Sequence, residues 1–322
     1  MTYTSGSTIV ATDYNGFVND TAGANVNDIW SVGATDKGYG QSIMGTVAAT
    51  NTITATQWAS LVNNLASLGN HQGTTITSRS APVAGNTINI LSALNTDLTN
   101  CTTNRGNAAA SGSQYTAWTG TNSKTSSTTG AFTITFTNTI TFPSAAGARY
   151  FWNAGGLVKI QVGKSATGQT GDPEWNDLAT TLCGAIWISG RVNGAAQTIA
   201  GTSYTGTKKV GGTGTPTILA TTTGWYTLVT GDVPTIVYKQ FADTAPYTSN
   251  YIQHTLAKGG TSNILTITTT WVNAEGDTIS GGTAASGATV GTAPCTVVTY
   301  YNPSTTYISD TWSTPTVSAT VT

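Results

Sequence analysis

AFTITFTNTITF, residues 131–142, sets Phe132, Ile134, Phe136, Ile140 and Phe142 against intervening threonines. A period of two sends alternate side chains to opposite faces of a pleated backbone, so the stretch reads as a half-buried strand, or as a hairpin turning near Thr137 and Asn138. Threonine, β-branched and about a fifth of the chain, suits such a surface. Working outward, LVKIQVG (157–163), AIWISGRV (185–192), PTIVYKQF (234–241), NILTITTTWV (263–272) and CTVVTYY (295–301) are further strand candidates between Gly-, Pro- and Asn-containing turns. A run of short strands at this spacing predicts an antiparallel β-sandwich. One helix interrupts it: Asp172 caps, Pro173 takes the first turn, Trp175, Leu178 and Leu182 face inward, and Gly184 ends it.

Upstream the period changes. In TITATQWASLVNNLASLG (52–69), Thr54 and Gln57 form a capping box, Trp58, Leu61, Val62, Leu65 and Leu68 recur at helical spacing, and Gly69 is the predicted stop. A second helix is read in residues 85–101 through Leu91, Leu94, Leu98 and Cys101, and a weaker one over 13–32 through Tyr14, Phe17, Val26, Ile29 and Trp30. STIVA (7–11) is a candidate strand, and the polar, aperiodic residues after Cys101 leave only Tyr115 and Trp118 as anchors. The predicted class is therefore mainly β (α+β). A short helical module over 1–105 and a linker over 106–130 precede the β-sandwich, with its one inserted helix, over 131–322.

Charged residues are 8% of 322, against about a quarter in an ordinary soluble domain. With 38% apolar residues, nine Trp and thirteen Tyr the chain still has material for a core. A net charge of −1 with no basic block offers nothing to neutralise phosphates, so nucleic acid is not an expected partner. No run approaches eighteen apolar residues and the start lacks a signal-peptide pattern, so neither membrane insertion nor secretion is expected. Cys101, Cys183 and Cys295 are odd in number and far apart, which argues for reduced, small apolar residues in a chain folded in cytosol.

Groups for chemistry are few. The two histidines are His71, just past a predicted helix end, and His254, which alternates with Tyr251 and Gln253 and reads as a strand-surface side chain. Paired carboxylates of a glycosidase would have to be Glu174 with Asp177, or Glu275 with Asp277. The first pair is better explained by a helix N-terminus and the second by a turn. GGTGTPT (211–217) lacks the Lys-Ser/Thr ending of a phosphate loop, and SGRVNG (189–194) lacks the flanking helix. No catalytic, cofactor-binding or metal residue is assigned, and no enzyme is expected. Tyr300, Tyr301, Tyr307 and Trp312 are the candidates for stacking on a glycan, with core or interface packing as the competing reading.

At ARYFWNAGGLVKIQVG (148–163) the chain resembles virion structural proteins of tailed phages, including cyanophages. The motif positions are Phe151, Trp152, Asn153, Ala154, Gly155 and Gly156. A Trp-bearing helix, EWNDLATTLCG (174–184), and then Gly224, Trp225, Tyr226 and Leu228 follow in the same order. ATDYNGFVND (11–20), GYGQSI (38–43), GNHQG (69–73) and NPSTTYISDTWSTPTV (302–317) are similar to elements of the same group. Leu157, often polar in that group, and the long Gly/Thr-rich stretch over 191–223 depart from it. Read physically, FWNAGG is a tight turn entering a strand, its aromatics covering the core edge. The resemblance implies a virion location after assembly in the host cytoplasm. It also implies partners among copies of the chain and other virion proteins, the N-terminal module serving attachment to the particle. The alternative is a carbohydrate- or receptor-binding adhesin domain that contacts a host-surface glycan.

Overall fold

Residues 131–142 form one uninterrupted strand. The computed structural model describes residues 9–19, 23–85, 93–116, 131–164, 172–274 and 295–322. In chain order its helices are α1 (Ala11–Asn19), α2 (Val26–Trp30), α3 (Ala55–Gln72), α4 (Leu94–Thr103), α5 (Ala145–Asn153) and α6 (Asp172–Asn176), the last continued by a π-helical turn over Asp177–Leu182. The strands are β1 (Ser111–Thr116), β2 (Phe132–Thr141), β3 (Leu157–Gly163), β4 (Ala185–Ser189), β5 (Gln197–Ile199), β6 (Thr202–Tyr204), β7 (Thr207–Val210), β8 (Ile218–Leu219), β9 (Thr235–Phe241), β10 (Tyr251–Lys258), β11 (Ile264–Asn273), β12 (Cys295–Pro303) and β13 (Thr316–Val321).

The strands make two main antiparallel sheets, in the orders β1-β12-β3-β4-β7 and β13-β2-β11-β10-β9-β8, and a ribbon of β5 and β6. The mainly β, α+β sandwich read from the sequence is the architecture found. In β2 the alternation passes straight through the proposed hairpin point. Ile134, Phe136, Asn138 and Ile140 are buried, while β11 and β13 bond the strand from both sides. One polar residue does not turn a chain whose neighbours are β-branched and whose backbone is paired on both edges.

One hydrophobic cluster joins Ile134 and Phe136 of β2, Ile160 of β3, Ile188 of β4 and Leu256 of β10 to Tyr14, Trp58, Leu61 and Leu98 of the N-terminal helices. The inserted helix lies within it, with Trp175, Leu178 and Leu182 buried as predicted, its π turn touching β3 of one sheet and β9 and β10 of the other. Gly184, at φ 70°, ends it.

Several local readings change. The capping box of α3 is present: Gln57 N–H donates to Thr54 Oγ1 at 3.3 Å, and Thr54 N–H to Gln57 Oε1 at 2.8 Å. The helix nevertheless runs one turn past Gly69 and stops at Gly73, whose φ of 69° and ψ of 24° form the left-handed cap. Residues 13–32 divide into α1 and α2, because Asn25 accepts from Asp28 N–H at 3.0 Å and starts a new helix. Ile9–Ala11 are not a strand; the Val10 carbonyl accepts from Asp13 N–H and so opens α1. Of the second predicted helix, Leu94, Leu98 and Cys101 are buried on α4, and Leu91 lies outside the described residues. Part of the supposed linker is structured: Ala108 bridges to Ile199, and β1 pairs with β12, setting Tyr115 opposite Tyr300. Residues 117–130, with Trp118, lie outside the described residues.

The largest omission is α5. Ser144 caps it by accepting from Gly147 N–H at 2.9 Å, and Phe151, Trp152 and Asn153 form its last turn. FWNAGG is thus a helix end plus a turn into β3. Gly155 sits at φ 91°, and a Cβ on Gly156 would lie 2.4 Å from the Phe151 ring, so the second glycine lets that ring fold back over the strand entry.

Candidate functional site

Five of the seven segments quoted for the resemblance, far apart in sequence, meet at one place; the inserted helix and residues 11–20 lie outside it, Trp175 packing on Trp271 and Tyr14 on Trp58. Trp152, fully buried at the end of α5, stacks on Trp225 with centroids 5.6 Å apart and planes inclined by 18°. Beside them Asn153 uses both amide atoms: Nδ2 donates to the Gly38 carbonyl at 2.8 Å, and Oδ1 accepts from the Tyr226 hydroxyl at 2.6 Å. Phe151 continues the aromatic row, edge-on to Trp152 at 5.0 Å and to Tyr300 at 6.2 Å.

The loop carrying Gly38 extends the network. The Tyr39 hydroxyl donates to the Arg105 carbonyl at 2.7 Å and accepts from Gln72 Nε2 at 3.0 Å. Gln41 and Ser309 exchange two bonds, Nε2 to the Ser309 carbonyl and Ser309 N–H to Oε1, each 2.9 Å, while the Thr311 hydroxyl donates to the Tyr39 carbonyl. GYGQSI, the end of α3, FWN, GWY and the C-terminal TYISDTW therefore form one buried knot. Its electrostatics favour neutral groups: burial raises the pKa of Tyr39 and Tyr226 above the ordinary tyrosine value.

His71 belongs to this knot. It lies in the last turn of α3, its Nε2 3.2 Å from the Ala154 carbonyl and its ring edge-on to Tyr39 at 5.1 Å. Burial lowers its pKa to about 4, so it is a neutral, enclosed ring without access to substrate. His254 points inward from β10, contrary to the expected surface position. It stacks on Tyr238 at 5.2 Å, its Nδ1 is 3.0 Å from Thr269 Oγ1, and burial lowers its pKa to about 3. Strict alternation along β10 gives this result: Tyr251 and Gln253 face out, so His254, in phase with the buried Ile252 and Leu256, faces in.

The other expected groups are dispersed. Glu174 and Asp177 sit at partly exposed positions along α6 and its π turn; Glu275 and Asp277 lie outside the described residues. Cys101 and Cys183 are free and buried, their thiols pushed up to about 12 by burial, and act as apolar fillers. Among the described residues no group of three or more His, Cys, Asp or Glu side chains comes together to hold a metal, and no helix is long and apolar enough to cross a membrane.

The four aromatic candidates for glycan stacking separate. Tyr300 and Trp312 are fully buried and cannot receive a sugar; the inward register of β12 and the Gln41 and Thr311 contacts of the C-terminal segment seal them. Tyr307 is exposed, and Tyr301 is half-buried on the outer face of the first sheet. There it meets Trp187 of β4 at 5.0 Å, a residue not singled out from the sequence. The signal was present, since Ile186 and Ile188 face the core and Trp187 between them must face out.

No family model, no curated protein and no solved structure matches the chain.

Proposed function

We propose that this protein is a non-enzymatic structural component of a tailed-phage virion, a tail, neck or fibre protein that acts through self-association and contact with other virion proteins. One observation carries the reading: most of the motifs similar to those of phage structural proteins, FWN, GWY, GYGQSI, the end of α3 and the C-terminal segment, converge on a single knot of amides and aromatics. Its one histidine, His71, is enclosed and held neutral, burial lowering its pKa to about 4. Residues that build a rigid junction and expose no reactive group serve a scaffold.

The sheet edges support association. β13, at the edge of the six-stranded sheet, has β2 as its one neighbour among the described strands and carries no charged residue in TVSATV. An uncharged edge strand is a template for pairing with another chain, and closed symmetric oligomers are the commonest outcome; a fibre would be a trimer.

Mass spectrometry of purified virions should detect the chain, and its absence from the particle overturns the assignment. Light scattering of the isolated protein should give a discrete oligomer. A monomer at every concentration removes self-association.

A further inference from the structure

We propose that the cleft between the outer face of the five-stranded sheet and the β5-β6 ribbon binds a saccharide, with Trp187 and Tyr301 as stacking surface over the buried Tyr204 and an acidic sugar unit as the preferred ligand. The site lies outside the buried knot and does not rest on a virion location.

The cleft has a volume of about 370 Å³, within the range of small-molecule sites. Trp187 lies 5.0 Å from Tyr301 with planes inclined by 33°, and 6.0 Å from Tyr204 at 47°. These tilted rings form a concave aromatic wall over Leu157 and Ile199. Trp58, Trp152, Trp175, Trp225, Trp271 and Trp312 are all buried; Trp30 and Trp187 keep part of their surface open, and of these Trp187 lines the cleft. An amphipathic ring left half-open in a concavity suits a ligand with an apolar face and a polar rim, and a pyranose ring has both.

A second observation points to the same ligand. Asn302, which lines the cleft, has a buried Oδ1 with no hydrogen-bond partner. Buried acceptors are nearly always paired; this oxygen is enclosed in the free protein, and a turn of the Asn302 amide toward the cleft would bring it to a sugar hydroxyl, with Thr202 lining the same cleft.

Charge selects among sugars. Lys159 Nζ is 5.5 Å from the Trp187 ring centroid and 5.7 Å from that of Tyr301, and Lys208 Nζ is 5.3 Å from that of Tyr204. Among the described residues no carboxylate lines the cleft. Two ammonium groups beside an aromatic wall favour a sugar bearing carboxylate or sulfate, and the absence of acids leaves no pair to cleave a glycosidic bond.

The test uses the full chain on a glycan array, followed by titration with a hexuronate disaccharide and its neutral hexose counterpart, read by tryptophan fluorescence. Saturable binding is expected, about tenfold tighter for the hexuronate at low salt, with the preference falling as salt rises. Trp187→Ala should abolish the fluorescence change, and Asn302→Ala, which leaves the aromatic wall intact, should weaken binding about tenfold. Lys159→Gln should erase the preference for the acidic sugar. No retention on any glycan overturns the site, as does undiminished binding by Asn302→Ala. Equal affinity for the two disaccharides overturns the acidic preference.

Discussion

The stack of Trp152 on Trp225 and the pair of Trp187 with Tyr301 have similar ring separations, 5.6 and 5.0 Å, in very different surroundings. Around the first, Asn153 has both amide atoms paired and the rings are closed to solvent; around the second, the rings stay half-open and Asn302 keeps an unpaired oxygen. Residue type does not separate scaffold from binding surface here. What separates them is enclosure and the state of the neighbouring amide: the Trp152 indole N–H also lacks a partner, but its ring is closed to solvent and Asn153 beside it is fully paired.

The largest expected contrast comes from truncating one ring in each cluster. Trp152→Ala should cost about 3–5 kcal/mol, the range for a large aromatic removed from a core. Trp187→Ala, on a half-open face, should cost about 1 kcal/mol or less. Urea unfolding of both variants measures the difference, and equal losses would erase the distinction between the clusters.

Acid should act on the enclosed regions before the open one. His71 and His254 have pKa values lowered to about 4 and about 3 by burial, against about 6.5 in the unfolded chain. Between those limits the unfolded chain binds more protons than the folded one, so stability rises with pH and falls on acidification from about pH 6.5 downward. Between pH 6 and 5 the two rings together should cost about 2 kcal/mol. His254→Gln should roughly halve the slope of unfolding free energy over that interval, and an unchanged slope would remove His254 as its source.

The two cleft-side and knot-side asparagines give a smaller, sharper comparison. Asn153→Ala leaves the Gly38 carbonyl and the Tyr226 hydroxyl without their amide partner and should cost about 1–3 kcal/mol. Asn302→Ala removes an oxygen that has no partner and should change stability by about 0.5 kcal/mol or less. Thermal unfolding of the pair decides it.

Much of this architecture is legible in the sequence because it rests on period. The alternation in AFTITFTNTITF, the α3 stripe from Trp58 to Leu68 and the inward face of the inserted helix all follow from counting residues. What the sequence conceals depends on partners distant along the chain. α5 escapes because Gly147 and a dense aromatic run blur its stripe, and its Ser144 cap resembles turn sequence. The knot escapes because Gly38, Asn153, Tyr226 and Ser309 approach one another only after the sheets close; FWNAGG and GWY marked two of its members without their contacts. Tyr300 and Tyr301 are chain neighbours with opposite fates, fixed by which of them the register of β12 turns inward.

Asn138 completes the series of asparagines. It lies on the inward face of β2 between Phe136 and Ile140, opposite Ile267 of β11 and Ala319 of β13, and neither its Nδ2 nor its Oδ1 has a hydrogen-bond partner. An amide enclosed among apolar side chains pays desolvation without a compensating bond. Leucine has nearly the same branched shape and no polar atom, so Asn138→Leu should leave the strand register unchanged and raise stability by about 1 kcal/mol. The sign is the test. A gain in the urea midpoint at unchanged slope identifies Asn138 as an unpaired amide in the core. A loss of stability would show that Asn138, like Asn153, holds a bond its neighbours need.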